Sequence, residues 1–234
     1  MARKKYIISD IHGCYKSFNS LLFDKIKFTK KDRLYILGDY IDRGPRSKKV
    51  IDLIINLLIQ GYEVKCLMGN HEVMLLNSLN NDKEFELWFK NGGKSTLDSF
   101  KVEHPKYLKN KYLKFFTNLD YYYELKEFVL VHGGLNFHID NPFDDKLSMP
   151  WIRNDKVDIN KIGNRRLIVG HTPSKLNKVK SSLLEDRILL DGGCIYSNMN
   201  KDMGNLIGLE LNSMELFVQP NLDFSITDPP VKKL

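Results

Sequence analysis

Aspartate, histidine, asparagine and arginine recur in this 234-residue chain just beyond short apolar runs. The positions are Asp10 and His12, then Asp39, Asp42 and Arg43, then Asn70 and His71, then His132, and last His171. Carboxylate, imidazole and amide oxygen together, without thiolate, suit a hard or borderline divalent ion such as manganese, iron or zinc. The donors are too many for one tetrahedral ion, but they suit a pair of ions sharing a bridging carboxylate. Each residue alone has a plainer reading. A histidine after a strand is more often a hydrogen-bonded structural residue, Asp42-Arg43 beside Gly44-Pro45 could be a turn with an ion pair, and Asn70 is a good helix N-cap. The ordered series, each member following an apolar run, is what argues for a site.

Those runs define the elements that must carry the donors. Tyr6-Ile7-Ile8, Leu34 to Leu37, Val64 to Met68, Val129-Leu130-Val131, Leu167-Ile168-Val169 and Ile188-Leu189-Leu190 each end in Gly, Asp, Asn or His and read as buried strands. Side chains at the carboxyl ends of neighbouring strands converge on one crevice in open α/β folds. Between the runs lie helical patterns over Tyr15–Ile26, Ser47–Gln60, His71–Leu79, Glu84–Lys90, Lys94–Phe100 and Lys106–Asn118. In Ser47–Gln60 the polar residues Lys48, Asp52, Asn56 and Gln60 predict a thin wet stripe on an otherwise buried helix. From Arg166 onward the pattern is mostly strand. The expected fold class is α/β, with two sheets packed together and helices outside. Residues 1–219 read as one domain and 220–234, with Pro229-Pro230 and little periodicity, as a loosely held tail.

Composition narrows the partners. No apolar run approaches the ~20 residues that span a bilayer, and the N-terminal residues lack a signal-peptide pattern, so the expectation is a cytoplasmic monomer with no membrane contact. Cys14, Cys66 and Cys194 have no paired spacing, which argues against a disulfide framework or a cysteine-bound zinc. The net charge of +7 comes from lysines scattered along the chain, so a solvated basic surface is expected and no specific nucleic-acid groove. Such a field would still attract phosphorylated substrates.

Asp10-Ile11-His12-Gly13, Gly38-Asp39-Tyr40-Ile41-Asp42-Arg43-Gly44, Gly69-Asn70-His71-Glu72, His132-Gly133-Gly134 and Gly170-His171-Thr172-Pro173 resemble the signature set of the calcineurin-like metallophosphoesterases. Within these the pattern is similar to the phosphoprotein phosphatases of bacterial and phage type. The resemblance covers roughly residues 5 to 211. Segments Trp88 to Gly93, Trp151-Ile152-Arg153 and Asp191 to Cys194 support it. It implies a four-layer fold of two mixed β-sheets flanked by helices. It also implies two divalent metals, manganese first with iron or zinc as alternatives. Asp10 and His12 would hold the first metal, Asp39 would bridge, and Asn70, His132 and His171 would complete the second. Arg43 and Arg153 would grip phosphate oxygens, with Arg165 or Arg166 as rival choices for the second arginine. His71 would be the general acid oriented by Asp42, and a metal-bridging hydroxide would attack in line. His104 and His138 match no motif and read as surface residues.

The activity so implied is a metal-dependent serine/threonine protein phosphatase, with phosphotyrosine a further possible substrate. A phosphodiesterase is disfavoured because His171 is followed by Thr172-Pro173 and not by a second histidine in the pattern Gly-His-x-His. A symmetrical dinucleoside tetraphosphatase is the sister alternative. Asp42-Arg43 and Asn70-His71-Glu72 tip the sequence reading toward protein phosphatase. A fold that had lost its chemistry is disfavoured by the complete donor set. Loops near Asn80–Lys101 and Asn136–Arg153 are expected to choose between a phosphorylated protein and a small phosphoester.

Overall fold

The computed structural model describes residues 3–198 and 202–224. Strands β1 (Lys5–Ile8), β2 (Arg33–Ile36) and β3 (Glu63–Cys66) run parallel, with Ile7 opposite Tyr35 and Tyr35 opposite Lys65. Strands β4 (Tyr122–Glu124), β5 (Phe128–Val131), β6 (Arg166–Val169) and β7 (Arg187–Leu189) form a second sheet in that order. Strands β8 (Asn205–Glu210) and β9 (Glu215–Pro220) return as a hairpin and add antiparallel to the free side of β1. The first sheet is therefore β3-β2-β1-β8-β9. In the second, β5, β6 and β7 are parallel and β4 is antiparallel. Both sheets are mixed, as expected.

Period-two alternation divides the strand residues between layers. Ile7, Tyr35, Phe128, Leu130, Ile168, Ile188, Ile207 and Leu209 meet in the core between the sheets. Tyr6, Ile8, Leu34 and Ile36 point the other way, into a larger cluster under the helices. Val129, Val131, Leu167, Val169 and Leu189 face a third cluster, closed by Leu135, Met149 and Ile162 from the long segment after β5. Apart from the edge strand β3, where Lys65 is exposed, the parallel strands are buried on both faces, which is why they read as continuous apolar runs.

The helices are α1 (Tyr15–Ser20), α2 (Ser47–Ile59), α3 (Asn70–Asn77), α4 (Asp82–Trp88), α5 (Lys94–Phe100), α6 (Asn110–Thr117) and α7 (Leu176–Ser182). Three details differ from the sequence expectation. Helix α2 buries Val50, Ile51, Ile54 and Leu57 but leaves Leu58 42% and Ile59 78% exposed, so its wet face is broad, not a thin stripe. The pattern over Lys106–Asn118 is broken: buried Leu108 adopts extended backbone between a 3-10 turn and α6. Helix α7 falls inside the expected strand region, because its apolar contacts are few (Leu176, Val179, Leu183). Residues 221–224, expected in a loose tail, are tied down. Asp223 accepts hydrogen bonds from the backbone N–H groups of Lys16 (3.0 Å) and Ser17 (2.9 Å), and from Arg46 Nη1 (3.0 Å). The rest of that tail, 225–234, lies outside the described residues.

Candidate active site

Every residue of the predicted site except Arg153, which lies midway along the segment joining β5 to β6, sits at a strand's carboxyl end or just beyond it. Asp10 and His12 follow β1, and Asp39, Asp42 and Arg43 follow β2. Asn70 and His71 open α3 after β3. His132 follows β5, and His171 follows β6. The turns that bring them inward are sharp. Asp10, His12, Asp39, Asp42, Arg43 and His171 all have positive φ, between 45° and 69°, six of the ten such non-glycine residues described. This conformation costs an L-residue roughly 1–3 kcal/mol and persists only where surrounding structure enforces it. Glycines make the close approaches possible. A Cβ at Gly69 would overlap the Asp39 carboxylate and backbone nitrogen, and one at Gly170 would overlap the Ser9 hydroxyl and the Asp10 carboxylate.

Two buried clusters share Asp39: His12, Asp39 and His71 form one, and Asp39, His132 and His171 the other. His12 Nε2 and His132 Nε2 each lie 3.4 Å from a different Asp39 oxygen. His12 Nδ1–H donates to the Ile41 carbonyl and His132 Nδ1–H to the Leu37 carbonyl, both at 2.9 Å. Those bonds orient the rings and turn both Nε2 atoms inward, as in metal-binding histidines. Asn70 Oδ1 completes the second cluster, 3.1 Å from His132 Nε2 and 2.9 Å from His171 Nδ1. Asp10 is in neither cluster. Its carboxylate accepts from the His171 backbone N–H (3.0 Å) and from the Ser9 hydroxyl.

The electrostatics of these groups conflict. Burial raises Asp10 to about 6. Burial, with repulsion from His132, lowers His171 to about 3. Burial alone would lower His132 too, but the Asp39 carboxylate outweighs it and the imidazole rises to about 9. Burial and the Arg43 guanidinium hold His12 well below its usual range. Buried Nε2 atoms of His71 and His171 have no hydrogen-bond partner. Paired imidazoles, a shared carboxylate, an amide oxygen and unpartnered inward nitrogens fit divalent cations, whose charge would offset the crowded carboxylates.

His71 sits at the edge of this centre. Its Nδ1–H donates to Asp42 Oδ2 at 2.7 Å, with both side chains fully buried. Asp42 is itself held by Trp88 Nε1–H (2.8 Å) and the Thr96 hydroxyl (2.6 Å). Sequence reading marked the Trp88 segment without finding this role; the signal is an indole four residues ahead of Gly92, whose carbonyl accepts the Arg43 N–H at 3.2 Å. It also missed Glu72. That buried carboxylate accepts from the backbone N–H groups of Gly69 (3.1 Å), Asp39 (2.9 Å) and Tyr40 (2.9 Å), locking the β2 loop to α3. A glutamate three residues after Gly69 is the capping-box position, which was the available clue.

Above the centre lies a cleft of about 550 Å³, walled by Asp39, Arg43, Asn70, His71, Arg153 and His171, with Trp151 and Leu87 on its rim. Arg43 Nη1 donates to His12 Nε2 at 3.2 Å. Arg153 reaches the cleft, whereas its rivals do not. Arg165 is bound to Glu124 and the Ile162 carbonyl, and Arg166 to the Leu183 and Glu185 carbonyls. His138 is exposed as expected, and His104 stacks half-buried on Phe85. Segments 80–101 and 136–153 both reach the cleft, through Leu87 and Asn91 and through Trp151 and Arg153.

A two-sheet α/β fold with carboxylate–imidazole clusters at its strand ends is that of a metal-dependent phosphoester hydrolase. Residues 4–201 match the family described as calcineurin-like phosphoesterase, and the chain belongs to it. Among curated proteins, a symmetrical bis(5'-nucleosyl)-tetraphosphatase of Buchnera aphidicola subsp. Schizaphis graminum is 44% identical over 79 residues, covering 34% of this chain and 28% of that protein. Its counterpart from Wigglesworthia glossinidia brevipalpis is 50% identical over 72 residues, 30% of this chain and 25% of that one. The matched stretches thus span little more than a quarter of those relatives. A solved structure described as a putative diadenosine tetraphosphatase superposes over 95% of both chains with a TM-score of 0.67 at 19% identity, a likeness of fold. No helix among the described residues is long and apolar enough to cross a membrane.

Proposed function

We propose that the chain is a symmetrical dinucleoside tetraphosphatase, cleaving a bis(5'-nucleosyl) tetraphosphate into two nucleoside diphosphates. The observation that carries this is the 44–50% identity to tetraphosphatases over stretches of 72–79 residues. The sequence reading preferred protein phosphatase on the strength of Asp42, Arg43 and Asn70-His71-Glu72. Those residues surround the reacting phosphoryl group, which both reactions share, so they say little about what lies beyond it. The cleft adds support, because its apolar rim of Trp151 and Leu87 suits a base better than a solvated phosphoserine backbone.

In this reading His12 and Asp39, with Asp10 as a further ligand from outside the two clusters, would hold one divalent ion, and Asp39, Asn70, His132 and His171 would hold the other. Bound there, the ions would supply Lewis acidity toward phosphoryl oxygens and activate water at neutral pH. Arg43 and Arg153 grip the equatorial oxygens as charge redistributes. His71 offers a proton from Nε2 to the departing oxygen, while Asp42 fixes its ring through Nδ1.

A phosphoprotein phosphatase is the second reading, favoured by the buried His71–Asp42 pair, since strong acid assistance matters most for a poor alkoxide leaving group. One assay separates the two. Manganese-reconstituted protein is offered diadenosine tetraphosphate, a phosphoserine peptide, a phosphotyrosine peptide and an aryl phosphate. The expected result is highest kcat/KM on the dinucleotide, ADP as the sole nucleotide product, and loss of turnover on chelation that manganese restores. Preference for a peptide, or AMP with ATP as products, would overturn the proposal.

A further inference from the structure

A dinucleoside tetraphosphate has two nucleoside ends, and the cleft above the clusters has room for one half of it. A second depression of about 680 Å³ adjoins the first, and Arg153 lines both. Each volume falls within the ~300–1,000 Å³ of small-ligand sites. The strip from Trp151 to Lys156 runs between them, with Trp151 on the cleft side and Lys156 on the other. The wall of the second depression includes Phe137, His138 and Ile159, two rings and an aliphatic side chain.

That wall is braced. Lys161 Nζ donates to the carbonyls of Phe137 (2.9 Å) and Ile139 (2.8 Å). The Asn154 side chain both accepts from the Leu135 N–H and donates to the Leu135 carbonyl, each at 2.9 Å, fastening the strip to the loop before Phe137. A preformed platform binds with less ordering cost than a mobile one. Lys161 is thereby occupied, while Lys156 makes no ion pair among the described residues. Two acidic neighbours, Asp155 and Asp158, also line the depression, the latter capping the Asn160 N–H at 3.2 Å, so Arg153 and Lys156 meet an equal number of carboxylates and the rings carry much of the binding.

We propose that this second depression receives the outgoing nucleoside diphosphate. Arg153 stands at the scissile linkage between the two halves, Lys156 meets the departing diphosphate, and Phe137 with His138 takes the base. In-line displacement requires the leaving group to depart on the side opposite the attacking oxygen, and a binding wall there would hold the substrate in that geometry. The inference rests on the tetraphosphatase reading and assigns that substrate's distal half.

The test compares kcat/KM for diadenosine tetraphosphate, for adenosine 5'-tetraphosphate, which lacks the second nucleoside, and for an aryl phosphate. The variants are Lys156→Ala, His138→Ala and Phe137→Ala in the manganese-loaded protein, with thermal melts to verify folding. The expected result is that the dinucleotide-to-aryl ratio falls about tenfold for Phe137→Ala, the size of one lost stacking platform. The ratio falls several-fold for the two exposed polar variants, with a smaller loss on the mononucleotide for His138→Ala and Phe137→Ala. If Phe137→Ala does not fold, the two surface variants decide. Ratios within twofold of wild type, while wild type cleaves the dinucleotide, would overturn the second subsite and leave the tetraphosphatase reading standing. A wild-type protein that turns over the aryl phosphate but not the dinucleotide would overturn that reading itself.

Discussion

The buried His71–Asp42 pair leaves one imidazole nitrogen for chemistry. Nδ1 is committed to Asp42, whose other contacts from Trp88 and Thr96 hold it in place, and Nε2 has no hydrogen-bond partner among the described residues. A proton given from Nε2 helps most when the leaving oxygen is basic. His71→Ala should therefore cost on the order of 100- to 10,000-fold in kcat for an alkyl phosphate. The loss should be far smaller for an aryl phosphate and for the tetraphosphate, because a phenolate and a diphosphate both leave readily without a proton. Equal losses across the three would remove His71 from the acid role. Trp88→Phe tests the support behind it. This change keeps the ring but deletes the bond to Asp42, and should lower kcat by about tenfold with little change in KM if Asp42 acts by holding the histidine.

At the scale of elements, the segment after β9 holds down the opposite end of the sequence. Asp223 has its carboxylate fully buried, closes the first turn of α1 and pairs with Arg46. Removing it leaves the half-buried Arg46 guanidinium, two backbone N–H donors and the Ser17 hydroxyl without their acceptor. Asp223→Ala should destabilise by about 3 kcal/mol, a fall of roughly 6–12 °C in Tm for a domain of this size. Asp223→Asn, which keeps the acceptor oxygen, should recover part of that. A melting curve identical to wild type would show that the contact contributes nothing. None of this was legible in the sequence, because a carboxylate that finds its donors 206 residues away leaves no local pattern. The strands and their terminal donors were legible for the opposite reason: burial on both faces demands unbroken apolar runs, and the turn residues after them stand out. Helix α7 was not, since a short helix touching the core through Leu176, Val179 and Leu183 carries too weak a period to compete with the strands around it. The proposed second subsite was legible only in part: Arg153 and the segment 136–153 were marked, but Lys156 and the pairing of these residues were not. Arg153, Phe137 and Lys156 meet only through loop geometry, and motif residues gathered about one phosphoryl group cannot report what is attached beyond it.

For the whole molecule, the +7 net charge bears on the proposed reaction, whose substrate would be a polyanion. Long-range attraction of this kind is screened beyond about 8 Å at physiological ionic strength. Raising salt from about 0.05 M to about 0.5 M should reduce kcat/KM for the tetraphosphate by roughly three- to tenfold, with a smaller effect on kcat. The singly esterified aryl phosphate should respond less. Salt independence of both would mean that the lysines serve only solvation. The same view joins the two sheets. Asp10 and His171 come from different sheets and meet across the top, so the inter-sheet core of Ile7, Leu130 and Ile168 sets their spacing, and a cavity there would be felt as misaligned donors.

The docking of Asp223 also carries a consequence for the order of events during synthesis. A ribosome releases Ser17 long before Asp223 exists, so α1 spends most of translation without the carboxylate that closes its first turn. The loop bearing His12 precedes that turn directly, and His171 must likewise wait to meet Asp10. Competence for metal should therefore appear only once residue 223 has cleared the exit tunnel, and a nascent chain stalled earlier should emerge folded in part but catalytically silent.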